Sequence, residues 1–367
     1  MNSATTASKS GLTIQMRRRF LYMVLACLLT AILFLQLTAH GGERAAIQPT
    51  STSPAKQRRF SDTGYNDSLF KGTTPAKRRL FSDKWYNDSL FEESAASKAD
   101  HIWFLETSGR RKLKPREACS IESACRHNTD YTVHLLYTGN ISSNHCPYLR
   151  VLSKLPNFRS AVVNAGTELS GTPLSRFYEK GGELRRSKHF VEHLSDFLRY
   201  AVIWKRGGIY LDSDIIVLKS LKGIHNSVLF EDKGNTVTNC LLCFTRNHPA
   251  IGALMDACSR QYSRDVWTSC SLALMSRLPL DAVFSRRVNF LESWTFCSFF
   301  YSHWRYFFDP KMAEQVLKAV NRSYGVHIWN KLSTRTVTVV GSGSAMDRLA
   351  RAHCPSAYSA AASAGYF

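Results

Sequence analysis

The chain has 367 residues, of which 44% are hydrophobic, enough for a real core in one large domain or two small ones. With 21% charged and 12% aromatic residues it is not disordered throughout, nor a collagen or a coiled coil, and ten cysteines are too few for a disulfide-scaffold miniprotein. Its 48 Lys and Arg against 28 Asp and Glu give a net charge of +20, which suits nucleic acid, an anionic membrane face or nucleotide-linked substrates without choosing among them.

Residues 20–39, FLYMVLACLLTAILFLQLTA, carry no charge. At about 1.5 Å per residue, roughly 20 helical residues span a bilayer core of about 30 Å. Arg17, Arg18 and Arg19 precede the run; His40 and Glu43 follow it. Basic residues stay on the cytoplasmic side, so residues 1–19 read as a cytoplasmic tail and 20–39 as a type II signal anchor, with the remainder lumenal or exterior. The competing reading is a cleaved signal peptide, which the long n-region and unbroken apolar run disfavour. Sequons at Asn66, Asn87, Asn140 and Asn321 fit a glycosylating lumen. Cys27 lies inside the anchor, and the other nine cysteines are an odd number, so at least one is free or pairs between chains. Cys240 and Cys243 form C-x-x-C with no second pair, and read as strand residues or disulfide partners rather than zinc ligands.

Residues 40–99 turn to Ser, Thr, Lys, Arg and Pro. They hold a duplication at period 21: residues 54–70 return as 75–91, with 13 of 17 positions identical. Two copies are too few for a solenoid, so the segment reads as a disordered, glycosylated stem; a docking motif is the alternative.

Residues 100–367 read as one folded domain. Ile102-WFLE, Tyr131-TVHLLY and Ala161-VVNA are short apolar runs that read as buried strands, alternating with helical or loop stretches. That alternation predicts an α/β domain with a mostly parallel central sheet. Ligands of such folds sit outside the carboxyl ends of the strands. In residues 189–221, Phe190, Val191, Leu194, Phe197, Leu198, Ala201 and Val202 recur at helical spacing. Asp196 and Arg199 lie off that stripe as an i,i+3 pair, whose plainer reading is a solvent-exposed ion pair. Gly207-Gly208 ends the helix, and Ile209-Tyr210-Leu211 starts a strand leading into Asp212-Ser213-Asp214. Two carboxylates at a strand end can hold a hard divalent cation against a diphosphate.

S-D-x-x-R-Y followed by W-K-x-G-G-I-Y-L-D-x-D resembles the α-1,4-glycosyltransferase family, the group of the lactosylceramide galactosyltransferases and α-1,4-N-acetylglucosaminyltransferases. Phe104-LETS, Cys119-SIESACR, Asn239 with Leu241 to Phe244, Asn321-RSYGVHIWNK and Cys354-Pro355 extend the resemblance over residues 101–356. It implies a GT-A-type fold, Mn²⁺, a UDP-sugar donor, retention at the anomeric carbon and a Golgi membrane location. It further implies that Asp214 binds the metal, that Asp212 contacts ribose or metal-bound water, and that Asp196 and Arg199 orient the donor sugar. Tyr210 joins the donor-binding set, and His327 becomes a further metal ligand, its plainer reading being a buried strand histidine. Trp329 reads as core before sugar platform. Glu231 and Asp232 would follow a strand towards the sugar, and no nucleophile or general base is evident.

Two positions depart from the family. Ser271-Leu272 stands where a G-P pair is usual, and Cys240 where Gly is usual; either change would crowd the donor or acceptor site. The leading expectation is a glycosyltransferase acting on a glycolipid or glycoprotein glycan, tethered to the membrane by its anchor, with a homodimer allowed. The alternative is a catalytically inactive, lumenal glycan-binding protein. Nucleic acid is not an expected partner, because the anchor and sequons place the domain away from it; the basic charge then reads as attraction of nucleotide-sugars and solvated stem.

Overall fold

The computed structural model describes residues 101–232, 236–275 and 287–367. The predicted tail, anchor and stem, with its duplication and the sequons at Asn66 and Asn87, lie outside the described residues. Among the described residues no helix is long and apolar enough to cross a membrane. The sequon asparagines Asn140 and Asn321 are exposed.

The main sheet has seven strands, numbered in chain order: β1 (His101–Glu106), β2 (Thr132–Tyr137), β3 (Phe158–Val162), β4 (Gly208–Leu211), β6 (Ser227–Phe230), β7 (Val237–Phe244) and β8 (Asn289–Leu291). Their spatial order is β3-β2-β1-β4-β7-β6-β8. β7 alone opposes its neighbours, so the predicted mostly parallel sheet is what forms. A separate antiparallel pair joins β5 (Ile215–Val217) to β9 (Gly325–His327), with Ile215 opposite His327.

β1 sits inside the sheet and is covered on both faces, which is why it reads as a continuous apolar run. Its pleat divides the core. Ile102 and Phe104 enter one cluster with α1 (Pro115–His127), α6 (Ala345–His353) and α7 (Pro355–Ala362). Trp103 and Leu105 enter the other with α3 (Phe190–Arg206) and α4 (Pro249–Gln261). Two further helices, α2 (Pro147–Leu152) and α5 (Ala313–Val320), complete the first face.

One strand differs from expectation. The Ala161 run is the end of β3, which starts at Phe158 and is buried only there; Val162 is 64% exposed. β3 is an edge strand paired only with β2, and past Phe158 its side chains, Ala161 and Val162 among them, are exposed.

The Gly207-Gly208 pair has a steric cause. Gly207 has φ 69° and Gly208 φ 102°. A Cβ on Gly208 would lie 2.5 Å from the His101 carbonyl oxygen, and one on Gly207 2.7 Å from the Arg246 nitrogen. Glycine lets α3 stop and β4 begin against β1 within two residues.

Among the described residues two disulfides form. Cys119 on α1 joins Cys354 at the start of α7, and Cys258 on α4 joins Cys270. Cys125, Cys146, Cys240, Cys243 and Cys297 are free and all buried. The odd thiol is therefore satisfied by burial, and none of these five offers an exposed sulfur for pairing between chains. Cys240 and Cys243 are strand residues of β7, as the plainer reading had it.

Candidate functional site

The chain runs from β1 outward to β2 and β3, then returns to β4 on the other side of β1. Such a reversal leaves a crevice at the strands' carboxyl ends. A cavity of about 650 Å³ lies there, lined by Leu105, Glu106 and Thr107 from β1 and by Asp212, Ser213 and Asp214 after β4.

Asp212 continues the β4 ladder, its N–H donating to Cys240 O at 2.8 Å. The Tyr210 hydroxyl donates to Asp212 Oδ1 at 2.5 Å, and Arg199 Nη1 stands 3.2 Å from the same oxygen. Asp214 faces β9, and its Oδ1 is 3.1 Å from His327 Nε2. Two backbone donors also converge on Asp214: Ile328 N–H reaches its carbonyl at 3.0 Å, and Asn330 N–H its Oδ2 at 2.8 Å. Trp329, between them, is left-handed at φ 56° and ψ 51°. A non-glycine residue in that region stores roughly 1–3 kcal/mol of strain. The turn it makes aims the Ile328 N–H at the Asp214 carbonyl and the Asn330 N–H at its carboxylate. The Trp329 ring packs 4.0 Å from that of His327, and its indole donates to Phe299 O. Trp329 is thus both core, at 9% exposure, and cavity wall.

One ligand atom each from Asp212, Asp214 and His327 lie within 4.8 Å of one another. Burial raises the Asp212 carboxyl despite Arg199. Burial also acts on Asp214, but the His327 imidazole and the backbone donors win and hold it low. Burial disfavours charge on His327, yet Asp214 lifts it to about 10. Nε2 and Oδ1 thus face each other as a close pair at the place where a cation would be held. Two carboxylate oxygens and an imidazole nitrogen suit Mn²⁺ or a similar divalent ion.

Asp196 and Arg199 are not solvent-exposed, at 5% and 6%. They do lie off the apolar stripe, but the face they occupy packs on β7, so α3 is buried on two sides. Arg199 bridges Asp196 Oδ1 at 3.3 Å and Asp212 at 3.2 Å, and Asn239 Nδ2 donates to Asp196 at 3.0 Å. The guanidinium also lies 4.7 Å from the Tyr210 ring centre. The sequence-predicted residues thus form one connected set. Glu231 lines the cavity, where burial raises its carboxyl. Asp232 instead accepts from the Thr236 N–H and hydroxyl.

The sequence reading passed over Glu106. It lines the cavity; Oε1 pairs with Arg110 at 3.0 Å, while Oε2 is buried with no protein partner. Its place at the end of β1, on the crevice rule, was the available signal. Glu117, Trp267, Tyr301 and Lys331 also line the cavity. In all, seven carboxylates and three cations face it, so the chain's basic charge is not concentrated there.

Two family models match. The one described as the alpha 1,4-glycosyltransferase conserved region covers residues 243–361, and the glycosyltransferase sugar-binding region containing the DXD motif covers 114–233. Lactosylceramide 4-alpha-galactosyltransferase of Homo sapiens is 29% identical over 71% of this chain and 77% of that protein. The Rattus norvegicus protein of that name is 27% identical over 72% and 76%. Alpha-1,4-N-acetylglucosaminyltransferase of Homo sapiens is 26% identical over 72% and 82%. The chain is thus similar to the α-1,4-glycosyltransferase family through most of residues 114–361. Among solved structures, the PaToxG glycosyltransferase superposes with a TM-score of 0.39 at 18% identity, over 60% of this chain and 74% of that one, which is too loose to carry an argument. Of the two departures from the α-1,4-glycosyltransferase pattern, Cys240 and Ser271 both line the cavity.

Proposed function

We propose that the chain is a type II Golgi glycosyltransferase of GT-A type, anchored by residues 20–39. It transfers a hexose from a UDP-sugar in α-1,4 linkage, with retention, to a lactosylceramide-like or other glycan acceptor. The observation that carries this reading is the convergence of Asp212, Asp214 and His327 on one cavity at the sheet's point of reversal. Cavity charge supports it. A diphosphate entering among seven carboxylates and three cations needs a divalent ion beside it.

Asp212, Asp214 and His327 would hold that ion, with Mn²⁺ the expected one. When bound, it supplies Lewis-acid neutralisation of the charge that develops on the departing UDP. The protein does the positioning. Arg199 fixes Asp212 from behind, and Asn239 and Asp196 fix Arg199. The Trp329 turn fixes Asp214 and His327 relative to each other. Asp196 and Arg199 act on the donor from behind the Asp-x-Asp turn. Glu231 and the unpartnered oxygen of Glu106 offer acceptors to sugar hydroxyls. UDP-galactose is the first-choice donor, then UDP-GalNAc, then UDP-GlcNAc.

The test is Mn²⁺-dependent UDP release from a panel of UDP-sugars by the full-length chain, with and without lactosylceramide-type acceptors. Release stimulated by one acceptor is expected. A folded chain that binds UDP but never turns over would overturn the reading in favour of a non-catalytic glycan binder, with Cys240 and Ser271 as the place to look for the cause.

A further inference from the structure

We propose that Cys240 Sγ, Cys297 Sγ and His327 Nδ1, clustered on the far edge of the His327 ring from Asp214, form a second cation site. It takes thiophilic ions such as Zn²⁺ or Cd²⁺ and is inhibitory. The three residues are buried, and their ligand atoms lie within 4.8 Å of one another. Cys297 Sγ is 3.8 Å from His327 Nδ1, held there because the His327 N–H donates to Phe296 O at 2.9 Å. Cys240 is placed by the hydrogen bond that its carbonyl accepts from Asp212. Cys240 and His327 line the cavity, so an ion has a route in.

Two sulfurs and one imidazole are the three-ligand set of zinc sites that keep a fourth position open. Thiolate ligands select such ions over Mn²⁺. The outer partner is already present. A metal-bound histidine commonly donates its other N–H to a carboxylate, and Asp214 Oδ1 stands 3.1 Å from Nε2. Binding turns two thiols into thiolates and needs a bare Nδ1, so the two thiol protons and any proton on Nδ1 leave to solvent.

The two edges of His327 cannot be used together. A neutral imidazole has one lone pair available and one N–H. An ion on Nδ1 leaves the hydrogen on Nε2, facing Asp214, so His327 can no longer join Asp212 and Asp214 as a ligand. A soft ion therefore competes with the hard ion through one ring, without occupying its place. This competition rests on the proposed function; the thiophilic site does not. The Cys243 thiol, the other member of the C-x-x-C, donates to Ile224 O at 3.1 Å and is outside the cluster.

The experiment titrates the full-length chain, purified under reducing conditions, with Cd²⁺ and reads the thiolate-to-Cd²⁺ charge-transfer absorbance. One Cd²⁺ per chain is expected at this site. The band should persist in Cys243→Ser and disappear in both Cys240→Ser and Cys297→Ser, with circular dichroism confirming that each is folded. Absence of the band, its survival in both variants, or a Cys240–Cys297 disulfide in protein prepared without reductant overturns the site. A separate arm measures Zn²⁺ inhibition of Mn²⁺-supported UDP release. Cys297→Ser should leave that release unchanged and raise the half-inhibiting Zn²⁺ concentration by roughly 100-fold. Unaltered inhibition in Cys297→Ser overturns the competition. If no UDP is released by any preparation, the transferase reading fails while the Cd²⁺ band still decides the site.

Discussion

Arg199→Met tests whether the buried cation organises the site. Arg199 is 6% exposed and serves five acceptors: Asp196 Oδ1 at 3.3 Å, Asp212 Oδ1 at 3.2 Å, Asn239 O at 3.0 Å, Ser195 O at 3.3 Å and Ser195 Oγ at 2.9 Å. Methionine keeps the stem and removes the charge. Asp196 and Asp212 are then left unpaired, and each already has its carboxyl raised by burial. Removing one partner of a buried pair costs roughly 3–5 kcal/mol. At about 2–4 °C per kcal/mol for a domain of this size, Tm should fall by about 6–20 °C. The loss should be larger at pH 8 than at pH 5, because acid lets the orphaned carboxyls take protons. Scanning calorimetry at both pH values measures this, and Arg199→Met combined with Asp196→Asn should be less than additive. A Tm within about 2 °C of wild type, or the same shift at both pH values, would refute the reasoning.

Other outcomes follow from the same geometry. Asp214→Asn should retain its fold and lose about 100-fold or more of Mn²⁺-dependent UDP release, and full activity would remove Asp214 from the metal role. His248 caps α4 by accepting from the Ala250 N–H at 3.2 Å, and burial followed by Arg287 lowers it to about 4. That value lies below the ordinary 6.5, so the unfolded chain takes the proton first. The stability is present above about pH 6.5 and is lost as pH falls towards 4. Between pH 7 and 5 this amounts to about 2 kcal/mol, read as a urea-midpoint change that His248→Asn, a non-titrating cap, should not show. The Cys119–Cys354 bridge closes a 235-residue separation and Cys258–Cys270 one of 12, worth about 5 and 3 kcal/mol by chain entropy. Replacing both cysteines by alanine should lower Tm more for the first pair; the reverse order would count against the entropic account.

Much of the frame was legible because its signals are local. The apolar stripe of α3, the glycine pair and the strand into Asp212 follow one another within about thirty residues, and each has a period or a steric cause. The burial of Asp196 and Arg199 was not legible, since a helical wheel shows one face against one core and cannot show a second packing surface. β3 misled because an apolar run looks the same at a sheet's edge as at its centre. Meeting of Asp214 with His327 depends on the β5–β9 pairing, made across more than 100 residues; only the family resemblance pointed there. Cysteine partners were equally hidden. Spacing shows that Cys240 and Cys243 share a strand, but not that the fold puts Cys240 beside Cys297.

The tie between α1 and α7 has a consequence for how the molecule is made. Glu122, fully buried, accepts from the N–H groups of Ser356 and Ala357, next to the Cys119–Cys354 bridge. During synthesis α1 emerges early, its Glu122 carboxylate held by Arg126 alone and its Cys119 thiol unmatched, and the partner of that thiol is translated 235 residues later. The nascent domain stays open until that delivery. A frameshift ahead of Cys354 would therefore strand the first helix, and nascent chains that have not yet exposed Cys354 should hold Cys119 accessible to thiol reagents.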